Sequence, residues 1–238
     1  MADQTRPGSS AAVHSPLGQS AATVCADDPG STDAVRGLAA AAAALDEAEV
    51  METLRVALAC DGVISVWEDL LVPVLRRVTC SARAADSVII ENALAAVSLL
   101  ALGEVWAELA HPVGYPPALL ASAEEEQRSL PLFALAAALA EEGIASSVFS
   151  ARVPAAALQA AVRRTRPAVV VVWLDTGATE DPAQTVGVGG PGLPNGPRVL
   201  LAGPGWDRAR IHGAASPVDD LAGAVREVKA TLEVTLSE

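Results

Sequence analysis

The stretch ALLASAEEEQRSLPLFALAAALAEEG, residues 118–143, reads as strand, loop and helix. ALLAS is a short apolar run ending in a polar cluster, and SLPLFALAAALAEEG is a helix with Ser129 as N-cap and Gly143 past its end. The pattern then recurs. IASSVFSA is a strand, PAAALQAAVRRT a helix, PAVVVVWL and PRVLLAG strands of the continuous apolar kind, and VDDLAGAVREVKATLEV a closing helix. Such alternation implies a doubly wound parallel sheet over residues 118–238. In that architecture the loop after the first strand lies at the carboxyl edge, where ligands bind. A phosphate-binding loop offers glycines and bare amides there. This one offers Glu124, Glu125, Glu126, Gln127 and Arg128, with Pro131 where glycine would allow close approach.

Upstream the period is helical. STDAVRGLAAAAAALDEAEV opens with Ser31 or Thr32 as N-cap, and AEVMETLRVALACDG stops at Gly62, a C-terminal cap. VISVWEDLLVPVLRRV sets Val63, Val66, Trp67, Leu70 and Leu71 on one face, with Pro73 marking a kink. DSVIIENALAAVSLLALGEVWAEL is apolar on most faces and is therefore expected to be buried. Four helices with short connections imply a bundle over residues 31–110. Residues 1–30, rich in Ser, Gly, Pro, Ala and Asp, read as a disordered tail, and HPVGYPP, residues 111–117, as a linker.

The chain has 238 residues, 51% of them hydrophobic, and a net charge of −13. That balance argues against nucleic-acid binding, which needs clustered Lys and Arg. The start has no apolar core for a signal peptide, and the runs LAAAAAAL and VVVVWL are too short to span a bilayer. Cys25, Cys60 and Cys80 have no pairing or metal spacing. A cytoplasmic protein without membrane association is expected. GVGGPG, residues 187–192, satisfies the dinucleotide-binding pattern literally, but both flanks are loop, so no nucleotide site is expected.

VRGLAAAAAALD, GVISVWEDLLVPVLRRV and the closing LLAGPGW…VDDLAGAVREV resemble the cobalamin-binding halves of MerR-family light-responsive regulators, actinobacterial members above all. The resemblance covers about residues 33–232, most distinctively in WEDLLVPVL. It implies a flavodoxin- or Rossmann-like sheet after the bundle, without the DNA-binding domain of those regulators. It also implies where their cofactor residues would fall. The cobalt-ligating histidine matches Arg128, and the glycine three residues later matches Pro131. Arginine has no lone pair for a metal. A small serine beside the cofactor's nucleotide tail matches Trp173, and paired glycines match Ala202 and Gly203. The tryptophan above the corrin matches Ser81, and a Glu-His pair matches Glu91 and Asn92.

The expectation is therefore a non-enzymatic regulatory module that keeps this scaffold, holds no cofactor, and acts through protein association or another small ligand between bundle and sheet. The alternatives are a corrinoid sensor with an unusual binding mode and a scaffold recruited for small-molecule biosynthesis. His111 and His212 are weak metal candidates, since neither has a partner at ligand spacing. Glu124, Glu125, Glu126 and Asp175 read as a solvated acidic rim rather than a cation site. No Ser-His-Asp or Cys-His arrangement stands out. A homodimer, or a heterodimer with a related regulator, is expected to bury the alanine-rich stripe through Leu38, Leu45 and Val50.

Overall fold

The computed structural model describes residues 32–81, 84–109, 118–150, 152–175, 196–207 and 216–235. Four helices come first: α1 (Asp33–Ala43), α2 (Glu47–Ser65), α3 (Val72–Ser81) and α4 (Ala84–Glu108). Then follow β1 (Ala118–Ser122), α5 (Leu130–Glu141), β2 (Ser146–Phe149), α6 (Ala155–Thr165), β3 (Val169–Trp173), β4 (Arg198–Ala202), β5 (Ser216–Val218) and α7 (Leu221–Thr235). The architecture is a four-helix bundle followed by a flavodoxin-like parallel sheet of order β2-β1-β3-β4-β5. Helices cover both faces: α5 and α7 share one core with the bundle, and α6 packs on the other face.

Local chemistry explains most boundaries. Thr32 caps α1 by accepting from Val35 N, and Asp46 caps α2 by accepting from Glu49 N. Gly62 interrupts α2 with φ 77° and ψ 168°, a conformation open to glycine. The amide of Val63 that this break frees donates to both carboxylate oxygens of Glu141, at 3.1 Å each, at the end of α5. Between α2 and α3, Val66–Leu71 forms a π-helical turn in which the Val72 amide reaches back to the Trp67 carbonyl. Pro73 follows at once. A wide turn spares the carbonyl four residues earlier from the proline ring. The kink expected at Pro73 therefore takes the form of this turn.

α5 joins the two halves. It packs against α2 and α4 on one side and against β1, β2 and α7 on the other. Ten of its twelve residues are buried, as its all-round apolar sequence predicts. One further contact crosses the same junction: the Ala222 amide at the start of α7 donates to Glu68 Oε1 at 3.2 Å. Within the α/β half, Lys229 of α7 pairs with Glu142 after α5 at 2.5 Å.

Three expectations are corrected. α4 is not buried on most faces: Val88, Ile89 and Leu100 project into solvent, Leu100 with 63% of its surface exposed. By length and composition alone Ala85–Glu108 could cross a membrane, which no inspection of short apolar runs reveals, but it packs on α2, α3 and α5 as a wall of the bundle. The alanine-rich stripe is not an open face either. Leu38 and Val50 are 1% and 2% exposed inside the bundle, and only Leu45 stands out. Finally, β5 is a fifth strand hidden in SPV, three residues at the sheet edge that pair with β4. Its Pro217 fits an edge strand, where one ladder face is unused. Residues 176–195 between β3 and β4, including the glycine-rich motif, lie outside the described residues.

Candidate functional site

The strand order reverses between β1 and β3, so the carboxyl ends of these two strands flank a switch point. The loop leaving β1 is held there by a buried acid. Glu126 is 2% exposed, and its two carboxylate oxygens accept from Arg128 N at 2.8 Å and from Asp175 N at 2.7 Å. Its own carbonyl accepts from Arg152 N at 3.0 Å. The loop is also joined to β3 by Ala123 N to Trp173 O, 2.9 Å, and to the end of β2 by the Ser129–Ser150 hydroxyl pair, 2.8 Å. The solvated rim expected for Glu124, Glu125 and Glu126 is thus corrected at Glu126, whose carboxylate is turned inward because two otherwise orphaned amides need an acceptor.

That fixed loop presents Arg128 to a cleft of about 760 Å³ between bundle and sheet. Arg128 Nη1 bonds Asp175 Oδ2 and Nη2 bonds Glu91 Oε1, both at 2.9 Å. Burial opposes its charge most, yet the Asp175 hydrogen bond and the charges of Glu91, Asp175 and Glu126 outweigh it and raise its pKa. The guanidinium therefore spans the cleft floor from α4 to the end of β3. The walls come from α3 and α4: Val72, Leu75, Arg76 and Thr79 on one side, and Asn92, Ala95, Ala96 and Leu99 on the other. Trp67, Leu130 and Pro131 close the apolar base.

Of the residues singled out from sequence, Glu91, Asn92, Arg128 and Pro131 meet in this cleft. Trp173 does not line it. Its indole is 2% exposed at the end of β3, and Nε1 has no hydrogen-bond partner among the described residues. Ala202 is fully buried at the end of β4, and Gly203 beside it has φ 98°. A Cβ on Gly203 would strike the Leu174 carbonyl oxygen and lie 2.9 Å from Trp173 Nε1, so indole and glycine are fitted to each other. Ser81 ends α3. His111 and His212 lie outside the described residues, and among those described no three His, Cys, Asp or Glu side chains converge as a metal site.

Sequence reasoning missed Arg76, Thr79 and Leu99, and read Trp67 only as one apolar position of a helix face, whereas it placed Gln127 with the loop. The available signal was spacing: Val72, Leu75, Arg76 and Thr79 follow i, i+3, i+4, i+7 along α3 and so share one face.

No protein-family profile matches the chain, and no curated protein does. Solved structures match it in fold. The monomethylamine corrinoid protein of Methanosarcina barkeri aligns with a TM-score of 0.56 at 15% identity, over 83% of this chain and 96% of that one. The methanol:cobalamin methyltransferase complex MtaBC of Methanosarcina barkeri aligns at 0.45 with 16% identity, over 84% and 80%. A cobalamin-binding protein of Desulfitobacterium hafniense DCB-2 aligns at 0.39 with 16% identity, over 83% and 98%. The first of these alignments supports the bundle-plus-sheet fold.

Proposed function

We propose that this chain is a non-enzymatic regulatory module that keeps the scaffold of a corrinoid protein and uses the cleft between bundle and sheet for a ligand other than cobalamin. One observation carries the reading: Arg128 stands where the resemblance to light-responsive regulators puts the cobalt ligand, and both its terminal nitrogens are already engaged by Glu91 and Asp175. A guanidinium offers no lone pair. Trp173 adds a second obstacle, since its buried indole stands where the resemblance puts the cofactor's tail. The residues present do not fit cobalamin held in that mode.

The test is retention. Protein incubated with hydroxocobalamin or adenosylcobalamin and then desalted is expected to elute colourless. A chromophore retained near one equivalent would overturn the reading in favour of a corrinoid sensor with an unusual binding mode.

Self-association is a second reading, moved from α1 to α4. Ala85, Val88, Ile89 and Leu100 form an uncharged exposed strip on α4, with Asp86 at its edge and the cleft-lining Asn92 and Ala96 beside it, on a chain of net charge −13. Two like-charged copies meet at lowest electrostatic cost through an uncharged surface, so the occupant proposed is a second copy of this chain. Light scattering should give a dimer mass that Leu100→Asp reduces to a monomer with unchanged circular dichroism. A monomer before substitution would rule this out.

A further inference from the structure

We infer that the cleft takes an amphiphilic monoanion, an apolar body with a single carboxylate or sulfonate, anchored by Arg76. This rests on the reading of the cleft as a ligand site and adds the chemistry of the ligand. Four charged side chains line the cleft: Arg76, Arg128, Glu91 and Asp175. Three of them satisfy one another, with Arg128 bonded to both acids at 2.9 Å. Arg76 has no hydrogen-bond or ion-pair partner among the described residues. It extends from the α3 face that also carries Val72, Leu75 and Thr79.

The remainder of the lining limits what can accompany the charge. Trp67, Leu75, Ala95, Leu99 and Pro131 present apolar surface, and the neutral amides of Asn92 and Gln127 provide donors. A concave cleft of about 760 Å³ that combines apolar walls with placed polar groups has the form of a small-molecule site. The two acids and two cations cancel, so a monoanion leaves the cleft with one excess negative charge. A dianion would leave two, beside the carboxylates of Glu91 and Asp175, and like charges at short range repel. A cationic ligand would face an unpaired guanidinium. An apolar monoanion satisfies Arg76 and the walls together.

The experiment uses full-length protein and fluorescent probes. 8-Anilinonaphthalene-1-sulfonate is an aromatic monoanion, and N-phenyl-1-naphthylamine is its neutral counterpart. Wild-type protein should prefer the anion, Arg76→Gln should weaken it by at least about tenfold, the usual scale of a charge-assisted contact, and the neutral probe should be unaffected. Decanoate should displace the anionic probe more effectively than decyl phosphate or decanol. Arg76 is exposed and glutamine is a good helix former, so the fold should tolerate the change. Ala96→Trp fills the cleft and should abolish binding of both probes. If Arg76→Gln leaves anion binding unchanged, or decyl phosphate competes as well as decanoate, the monoanion assignment is wrong while the cleft remains a ligand site. If neither probe binds, or binding survives Ala96→Trp, the ligand-site reading falls as well.

Discussion

Arg128 Nη2 lies 2.9 Å from Glu91 Oε1, and through this pair the loop after the first strand is tied to the longest helix of the bundle. The same guanidinium reaches Asp175 on its other side. Loop, sheet and bundle therefore meet at one side chain. About half of that side chain is exposed, which limits its energetic worth. A double-mutant cycle of Arg128→Gln and Glu91→Gln in urea unfolding should give a coupling of about 0.5–1 kcal/mol. A value indistinguishable from zero would mean the pair does not join the two halves.

Glu126 matters more although it faces no ligand. Its carboxylate accepts two backbone amides in a buried setting. Glu126→Gln keeps the size but turns one acceptor into a donor that faces an N–H. The expected loss is about 2–3 kcal/mol, the cost of a charged hydrogen bond and an orphaned amide. Denaturant titration with an unchanged m-value checks it, and a loss below about 0.5 kcal/mol would show that the loop re-forms without this acid.

Gly203 combines a positive φ with a wall of backbone. Gly203→Ala forces a methyl against Leu174 and the Trp173 indole, neither of which is the loose end of a flexible chain. Destabilisation beyond about 2 kcal/mol is expected. Gly143, also at positive φ but with nothing within 4 Å of an added Cβ, should lose less on the same substitution. Thermal unfolding of the two variants side by side separates clash from backbone strain.

Glu141 supplies a pH dependence. Burial raises its pKa, the neighbouring Glu142 adds to the rise, and the Val63 amide opposes it. A carboxyl whose folded pKa lies above its unfolded one holds its proton more tightly when folded. Its contribution to stability is therefore present at low pH and is lost as pH rises from the ordinary carboxylate range through the raised value. Glu141→Gln removes this loss. The variant should gain stability relative to wild type between pH 4 and pH 7, and a difference that is flat across that range would contradict the assigned burial.

The sheet was legible because each long strand declares itself locally. VVVVW and the VLLA of RVLLA are short apolar runs bounded by turn residues, and their length and β-branched content suit a strand covered on both faces. β5 escaped because three residues with a proline carry no period of their own; pairing with β4 creates the strand. α4 and α5 show where composition stops deciding. Both are apolar all round, yet α5 lies between bundle and sheet while α4 forms an outer wall, and no residue within either helix encodes which neighbours it will have. The position of the cleft followed from topology, since the switch point is fixed by strand order. Arg128 followed with it, because it lies in the loop after the first strand. Arg76 did not, because it belongs to a helix whose inward face depends on the turn before it.

That turn has a further consequence. Val66–Leu71 contains one residue more than an α-helical turn needs, and one residue is worth about 100° of rotation about the helix axis. Every side chain on α3 is indexed by it. Without the extra residue the row carrying Leu75, Arg76 and Thr79 would swing by roughly a quarter-turn from its present direction. The orientation of the cleft wall is set by a residue count, so that single-codon deletions within this segment, rather than substitutions, are the changes that would re-aim it.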